Sequence, residues 1–495
     1  MRYTVGVKYT AFLLRYRVPI SACALLALIG IGLVAYTHRS FPDIVVTRTA
    51  TGFVPSKITI HKGQAVVFVS TAEKEFWPAS NFHPTHGVYP AFDPKRPLMS
   101  DESWRFVFDR VGVWNFHDHL SEHTTGTIIV LGRPGESSRE CLSHAATSSP
   151  DDLAECWSVD ITEALESKGL SAAFDMFATL YAHNPTFRGL SCHDAGHILG
   201  ASAYKEYEDN HHAIDRPETA YCGYGFYHGF IETMLGDQGP AQYEKVRAYC
   251  NALKTDTQLN NPSGACFHGI GHAALDSLPG DVWGDEAKMV RAAIDVCEQA
   301  VEGLPERAQC STGVYNALAV AESAHSYKLA FSTVDPMKLC RSQKEAYQIG
   351  CYKEFGIGVI REKRFNRSET IAFIRSFKNA EAEAATLLGY MGDEVARTNG
   401  APDLAAFHTF CESFSSSDDR FACERGVLSG LRQAGAPGKE YEAMFNYCAL
   451  YGAGSAQTGC YTFSIQQTRD ITTNKTVWLN ACRAIPDQDI APLCR

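Results

Sequence analysis

The spacing of apolar residues divides the chain into three stretches. Residues 18–37 carry no charge and form an apolar run about as long as a hydrocarbon core is thick. Over residues 44–131 the apolar residues come in short β-branched and aromatic runs, broken by turn formers. Ile58-Thr59-Ile60 and the run 65–69 flank the turn-like His61-Lys62-Gly63-Gln64, and further strands are expected at 104–108, 113–116 and 127–130. Short strands and frequent turns over this length predict a β-sandwich. Residues 133–138 read as a linker, and beyond them the pattern turns helical and Ala-rich, as at 161–180, 285–300 and 380–390.

The expected organisation is multidomain: a cytoplasmic N-terminus (1–17), a transmembrane anchor (18–37), an all-β domain (44–132), a linker (133–139) and an all-α helical repeat domain (140–495). Arg2, Lys8, Arg15 and Arg17 precede the apolar run, so the positive-inside bias sends the rest of the chain across the membrane. A cleavable signal peptide is the rival, but no small-x-small site closes the run. Ile20-Ser21-Ala22-Cys23 resembles a lipoprotein box, yet the apolar run follows this cysteine instead of preceding it. The expectation is a single-pass protein of the cell inner membrane with its bulk in the periplasm. A net charge of -11 argues against nucleic acid as a partner.

Of the 17 cysteines, Cys23 lies in the apolar run and the other sixteen begin at Cys141. An even number without a CxxC pair favours disulfides in an oxidising compartment over zinc. Seven close pairs recur at spacings of about ten to fifteen residues: Cys141/Cys156, Cys250/Cys266, Cys297/Cys310, Cys340/Cys351, Cys411/Cys423, Cys448/Cys460 and Cys482/Cys494. Cys192 and Cys222 remain for each other. Similar phrases open at Cys222, Cys266, Cys310 and Cys423, with a period near forty residues that suits a helix-pair repeat of α-solenoid type. Each tie then joins the end of one helix to the start of the next, contributing about 2–4 kcal/mol.

The β segment resembles a cupredoxin-like (plastocyanin-like) domain. The resemblance is carried by Phe53-Val54-Pro55-Ser56-Lys57-Ile58-Thr59-Ile60 with Gly63, by Val66-Val67-Phe68-Val69, and by Ser103-Trp104-Arg105-Phe106-Val107-Phe108. Gly112-Val113-Trp114-Asn115-Phe116-His117 and Gly126-Thr127-Ile128-Ile129-Val130 complete it. It implies a Greek-key sandwich that holds copper near one end. The blue-copper ligand set departs, however: Asp118 stands where the thiolate belongs, Thr124 where the axial Met belongs, and Trp77 near the first His.

Two histidine groups carry candidate chemistry. In the sandwich, His83, His86, His117, His119 and His123 form one set; His117 and His119 are at i and i+2, which share a face of a strand. In the helical region His193/His197, His228/Glu232 and His268/His272 are i, i+4 pairs, each able to present two ligands on one helix face. Each follows a cysteine closely, so the three pairs are expected to converge from adjacent repeats. Thr312, Glu354 and Arg425 take the comparable places in later phrases. Imidazole suits copper, with zinc or iron as alternatives. The bland reading makes these histidines surface, capping or packing residues. No CxxCH, GxSxG or Walker A motif occurs, and Cys222-Gly223-Tyr224-Gly225 lacks the strand–turn–helix setting of a dinucleotide fingerprint. Three functions stay open: a copper-binding protein, a periplasmic metal-dependent oxidase or hydrolase built on the helical cluster, and a scaffold offering its repeats to a protein partner.

Overall fold

The structure is a computed structural model that describes residues 41–72, 74–80, 89, 91–132, 150–190, 192–210, 216–238, 242–255, 262–276, 278, 282–323, 326–398, 402–435, 439–469, 475–485 and 489–494. The expected anchor at 18–37, the linker at 133–139, His83, His86 and Cys141 lie outside these residues, as do the side chains of His123 and Cys156. Among the described residues no helix is long and apolar enough to cross a membrane.

Eight strands form the first domain: β1 (Ile44–Thr49), β2 (Gly52–Val54), β3 (Lys57–His61), β4 (Ala65–Ser70), β5 (Pro78–Ser80), β6 (Trp104–Val107), β7 (Gly112–Asp118) and β8 (Ser121–Leu131). They make two four-stranded sheets, β2-β1-β4-β6 and β3-β8-β7-β5, with parallel pairing of β1 to β4 and of β3 to β8. Phe53 and Phe68 of one sheet, Phe116 of the other, and Phe92 and Phe108 from the segments beside β6 close an aromatic core. At Gly63 the backbone takes φ 88, in the left-handed region that favours glycine, and so turns β3 into β4.

Asp118, at the end of β7, reaches across to Arg48 of the other sheet (Nε–Oδ2 2.8 Å) and accepts the Trp77 and Leu120 amides (2.9 and 3.2 Å). It is a clasp between the sheets, with its acceptor capacity directed at these donors. His117 and His119 do not share a strand face as expected. The register shifts between His117 and Asp118, β7 ends there, and His119 stands in the hairpin turn.

The helical domain runs α1 (Pro150–Lys168), α2 (Leu170–His183), α3 (Pro185–Leu190), α4 (Cys192–Asn210), α5 (Tyr221–Gln238), α6 (Tyr243–Ala252), α7 (Ser263–Asp276), α8 (Glu286–Ala300) and α9 (Leu304–Ser323). It continues with α10 (Lys338–Arg341), α11 (Glu345–Lys363), α12 (Arg367–Arg375), α13 (Ala380–Ala396), α14 (Leu404–Glu412), α15 (Ser417–Ala434), α16 (Glu440–Cys448), α17 (Ser455–Arg469) and α18 (Lys475–Arg483). The helix expected at 161–180 is two helices, broken at Gly169, whose φ of 87 no helix contains. The helix expected from 285 begins at Glu286, with Asp285 as its N-cap accepting from the Lys288 amide.

Disulfides join Cys192–Cys222, Cys250–Cys266, Cys297–Cys310, Cys340–Cys351, Cys411–Cys423, Cys448–Cys460 and Cys482–Cys494. Cys250–Cys266, Cys297–Cys310, Cys340–Cys351, Cys411–Cys423 and Cys448–Cys460 each tie one helix to the next, and Cys482–Cys494 ties α18 to the C-terminal segment. The helices α5, α7, α9, α11, α13 and α15 follow one another side by side, and the row curls until α15 touches α5 and α3. There the Tyr181 hydroxyl donates to the Gly435 carbonyl (3.2 Å). Strands β7 and β8 lie against α1, with β7 also meeting α4 and β8 meeting α5. This cover buries β7 on both faces, and the Thr59 hydroxyl donates to Glu166 of α1 (2.7 Å).

Replacing Asp118 by Ala leaves the Arg48 guanidinium, only 13% exposed, without its counter-ion. The expected loss is about 3 kcal/mol in the unfolding of the sandwich, read from tryptophan fluorescence in a denaturant series. A loss under about 0.5 kcal/mol, the size of a surface pair, would contradict the clasp.

Candidate metal centre

The local chain sets the site before any packing does. Cys192 opens α4 and Cys222 opens α5, and their disulfide pins the two helix starts together. Cys222, Gly223 and Tyr224 take φ of 56, 67 and 64. Two of these are non-glycine residues in the left-handed region, a backbone form that costs about 1–3 kcal/mol each. The turn aims the Cys222 carbonyl at His193 Nδ1 (2.8 Å). One helical turn on from His193 comes His197; α5 presents His228 and Glu232, and α7 presents His268 and His272.

Close helix crossings bring these pairs to one place. A Cβ at Gly225 would collide with the His193 carbonyl, one at Gly229 with the His197 carbonyl, and one at Gly313 with the His268 carbonyl. Glycine at these crossings lets backbone touch backbone, so short imidazoles span the gap between helices.

All six side chains expected in the helical set meet. His193 Nε2 and His197 Nε2 are 3.3 Å apart, and His268 Nε2 and His272 Nε2 are 3.2 Å apart. His228 stands between the two pairs. Its ring centre is 4.9 Å from His193, 5.4 Å from His197, 5.1 Å from His268 and 5.0 Å from His272. Glu232 spans the same gap, with Oε2 3.2 Å from His197 Nδ1 and Oε1 3.8 Å from His272 Nδ1.

The hydrogen bonds fix the tautomers. A carbonyl only accepts, so His193 carries its proton on Nδ1, facing Cys222. The histidines around Glu232 outweigh its burial and hold its pKa below the usual carboxylate value. As a carboxylate it accepts, so His197 also carries its proton on Nδ1. Thr312 donates its hydroxyl proton to the Gln309 carbonyl (2.6 Å) and so accepts from His268 Nδ1 (2.7 Å). The Nε2 atoms of His193, His197 and His268 therefore present lone pairs. His228 Nδ1 is buried and has no hydrogen-bond partner among the described residues, an arrangement that costs about 1–3 kcal/mol.

The distances can be compared with those that tetrahedral coordination would require. Two nitrogens bound at about 2.0–2.1 Å lie about 3.3 Å apart, and the centres of two such imidazoles about 5.2 Å apart. Ligand atoms of His193, His197 and His228 all lie within 4.8 Å of one another. Cys222, Glu232 and Thr312 supply the outer hydrogen bonds that orient ligating histidines. The residues present thus fit a metal ion.

Electrostatics keep three of the five imidazoles neutral. Burial, then the neighbouring imidazoles, pushes His228 well below its ordinary value. Burial likewise lowers His268 to about 4 and, reinforced by His268, lowers His272 to about 3. Asp276 goes up to about 7, through burial and the Glu232 charge, while accepting from the Tyr327 hydroxyl (3.0 Å). Asp276 is a functional neighbour that the motif pattern missed, and Thr312, which stands in a histidine's place in its phrase, orients His268. The signal for Asp276 was present, since it extends His268 and His272 by one more i+4 step. Beyond Thr312, Asn316 donates to Glu354 (3.2 Å), so the later phrases without histidine continue the polar row.

In the sandwich, the described residues bring two of the five expected histidines together. His117 is buried, with its ring centre 6.3 Å from that of His119, and His119 packs on Trp77 at 4.3 Å. Thr124 bonds to the Ser121 hydroxyl (3.1 Å).

A β-sandwich joined to a disulfide-stapled helical row with a half-buried imidazole cluster is thus the class of protein defined. No family model matches the chain, and no curated protein matches it. Among solved structures it is similar to a reduced Cu(I) form of an amicyanin variant, at 13% identity, covering 19% of this chain and 87% of that one, with a TM-score of 0.16. It is also similar to oxidised plastocyanin from Dryopteris crassirhizoma, at 23% identity, covering 17% of this chain and 98% of that one, with a TM-score of 0.15.

The neutral histidines predict acid sensitivity of the metal-free protein. An unfolded histidine takes its proton near pH 6.5, whereas His268 and His272 resist it to about 4 and 3. Below about 6.5 the unfolded chain binds more protons, so their contribution falls as the pH drops toward 4. Asp276 acts in the opposite sense between 3.8 and about 7. Thermal unfolding of wild type and of a His268→Gln, His272→Gln variant at pH 7.5 and 5 isolates the imidazole part. Wild type should lose more Tm on acidification than the variant, and equal losses would contradict the assignment.

Proposed function

We propose that the chain is a membrane-tethered extracytoplasmic protein that binds a transition-metal ion, copper first, through His193, His197 and His228. One observation carries this reading: three imidazole ligand atoms within 4.8 Å of one another. The outer hydrogen bonds at His193 and His197 reinforce it by turning Nε2 inward. Copper comes ahead of zinc and iron because an all-nitrogen donor set follows the Irving–Williams order, in which Cu(II) binds most tightly. The charge-free run 18–37 behind four basic residues supports the tether, and the disulfides support an oxidising compartment. His117 and His119, with His83, His86 and His123, are a second proposed copper site, supported by the 6.3 Å separation of the first two rings.

A metal-dependent oxidase or hydrolase is the second reading, favoured by the accessibility of the cluster. Three protein ligands leave a coordination position, and the His197 side chain is 29% exposed, so water or a small substrate reaches that side.

Copper loading of the full-length chain in detergent, followed by desalting and elemental analysis, tests the proposal. Wild type should retain copper, and His193→Ala with His197→Ala should lower the content by one ion per chain. His117→Ala with His119→Ala should leave the helical copper in place. Wild type that retains none, or a His193/His197 variant that keeps the full amount, would overturn it.

A further inference from the structure

The triad His193/His197/His228 uses only part of the cluster. His268 and His272 repeat its ring spacing from the other side: their Nε2 atoms are 3.2 Å apart, and their ring centres 5.0 Å. Each ring centre is again about 5 Å from that of His228, at 5.1 and 5.0 Å. These three separations meet the about 5.2 Å expected of imidazoles on one tetrahedral ion as closely as those of the first triad do. The Thr312 hydroxyl orients His268 as the Cys222 carbonyl orients His193. Glu232 touches one histidine of each pair, so a single carboxylate offsets positive charge on both sides. His228 belongs to both triads, and its ring has two nitrogens, of which the buried Nδ1 has no hydrogen-bond partner among the described residues.

We propose that the cluster is a two-ion centre, in which His193 and His197 hold one metal ion, His268 and His272 hold a second, and the His228 imidazole serves both, one nitrogen to each. This rests on the metal-binding reading of the preceding section and extends it to a second ion. Ligation through both nitrogens requires the remaining ring N–H to ionise. Binding the second ion therefore releases one proton from His228 to solvent, and no electron is transferred.

The test is copper titration of the full-length chain carrying His117→Ala and His119→Ala, which removes the sandwich contribution. Elemental analysis should give two ions per chain. Adding His268→Ala and His272→Ala should leave one, and adding His193→Ala and His197→Ala instead should also leave one. Two copper(II) ions sharing a ligand couple magnetically, so the paramagnetic resonance of the doubly loaded protein should integrate well below its copper content and show a half-field line. That measurement needs no cluster variant, and so survives a variant that fails to fold. Proton release in an unbuffered titration should rise by one equivalent with the second ion. One ion lost completely on removing either pair, with a full-intensity signal, would mean a single ion shared by the cluster. That result overturns the two-ion centre and leaves the metal-binding reading intact. No helical copper in any form would overturn both.

Discussion

Two imidazole nitrogens that both present lone pairs repel each other, and this helical core holds such nitrogens at 3.3 Å. Hydrogen bonding alone does not relieve the contact, because the protons are committed elsewhere: His193 to the Cys222 carbonyl and His197 to the Glu232 carboxylate. A cation bound between them, as proposed, would turn the repulsion into two coordinate bonds. The surrounding structure is arranged to keep these rings in place, by covalent ties at the helix starts, by glycines at the crossings and by a carboxylate linking the two sides.

Stability and chemistry are coupled through that arrangement. Burial keeps His228, His268 and His272 neutral, the form in which imidazole binds metals. The same burial is costly for the orphaned His228 Nδ1, by about 1–3 kcal/mol. The disulfides, each contributing about 2–4 kcal/mol by restricting the unfolded chain, make such a cost tolerable. Six of them span only 11 to 16 residues, five of these stiffening individual helix pairs, and Cys192–Cys222 spans 30 at the centre itself.

Much of this was legible in the sequence because it is local. β-branched and aromatic runs located β3, β4, β6, β7 and β8 but not β1, β2 or β5, the cysteine spacing located the helix pairs, and i, i+4 histidines located the cluster. What was hidden depends on residues far apart in the chain. The double-sided burial of β7 comes from α1 and α4, which no strand pattern announces. Closure of the helical row at Tyr181 and Gly435 accumulates from small turns between repeats. Thr312 stands where earlier phrases have histidine, and its role follows only from the packing of α9 on α7. Asp118, aligned with a copper thiolate by resemblance, is instead engaged by Arg48 of the opposite sheet. The break at Gly169 was readable as a glycine and needed only its left-handed φ to be recognised.

X-ray absorption at the copper edge of the loaded full-length protein tests the central claim most directly, because it counts the donor atoms around the ion. A first shell of nitrogen at about 2.0 Å, with the outer-shell scattering of at least three imidazoles, is the predicted spectrum. A sulfur shell at about 2.3 Å, or oxygen donors without imidazole scattering, would contradict it.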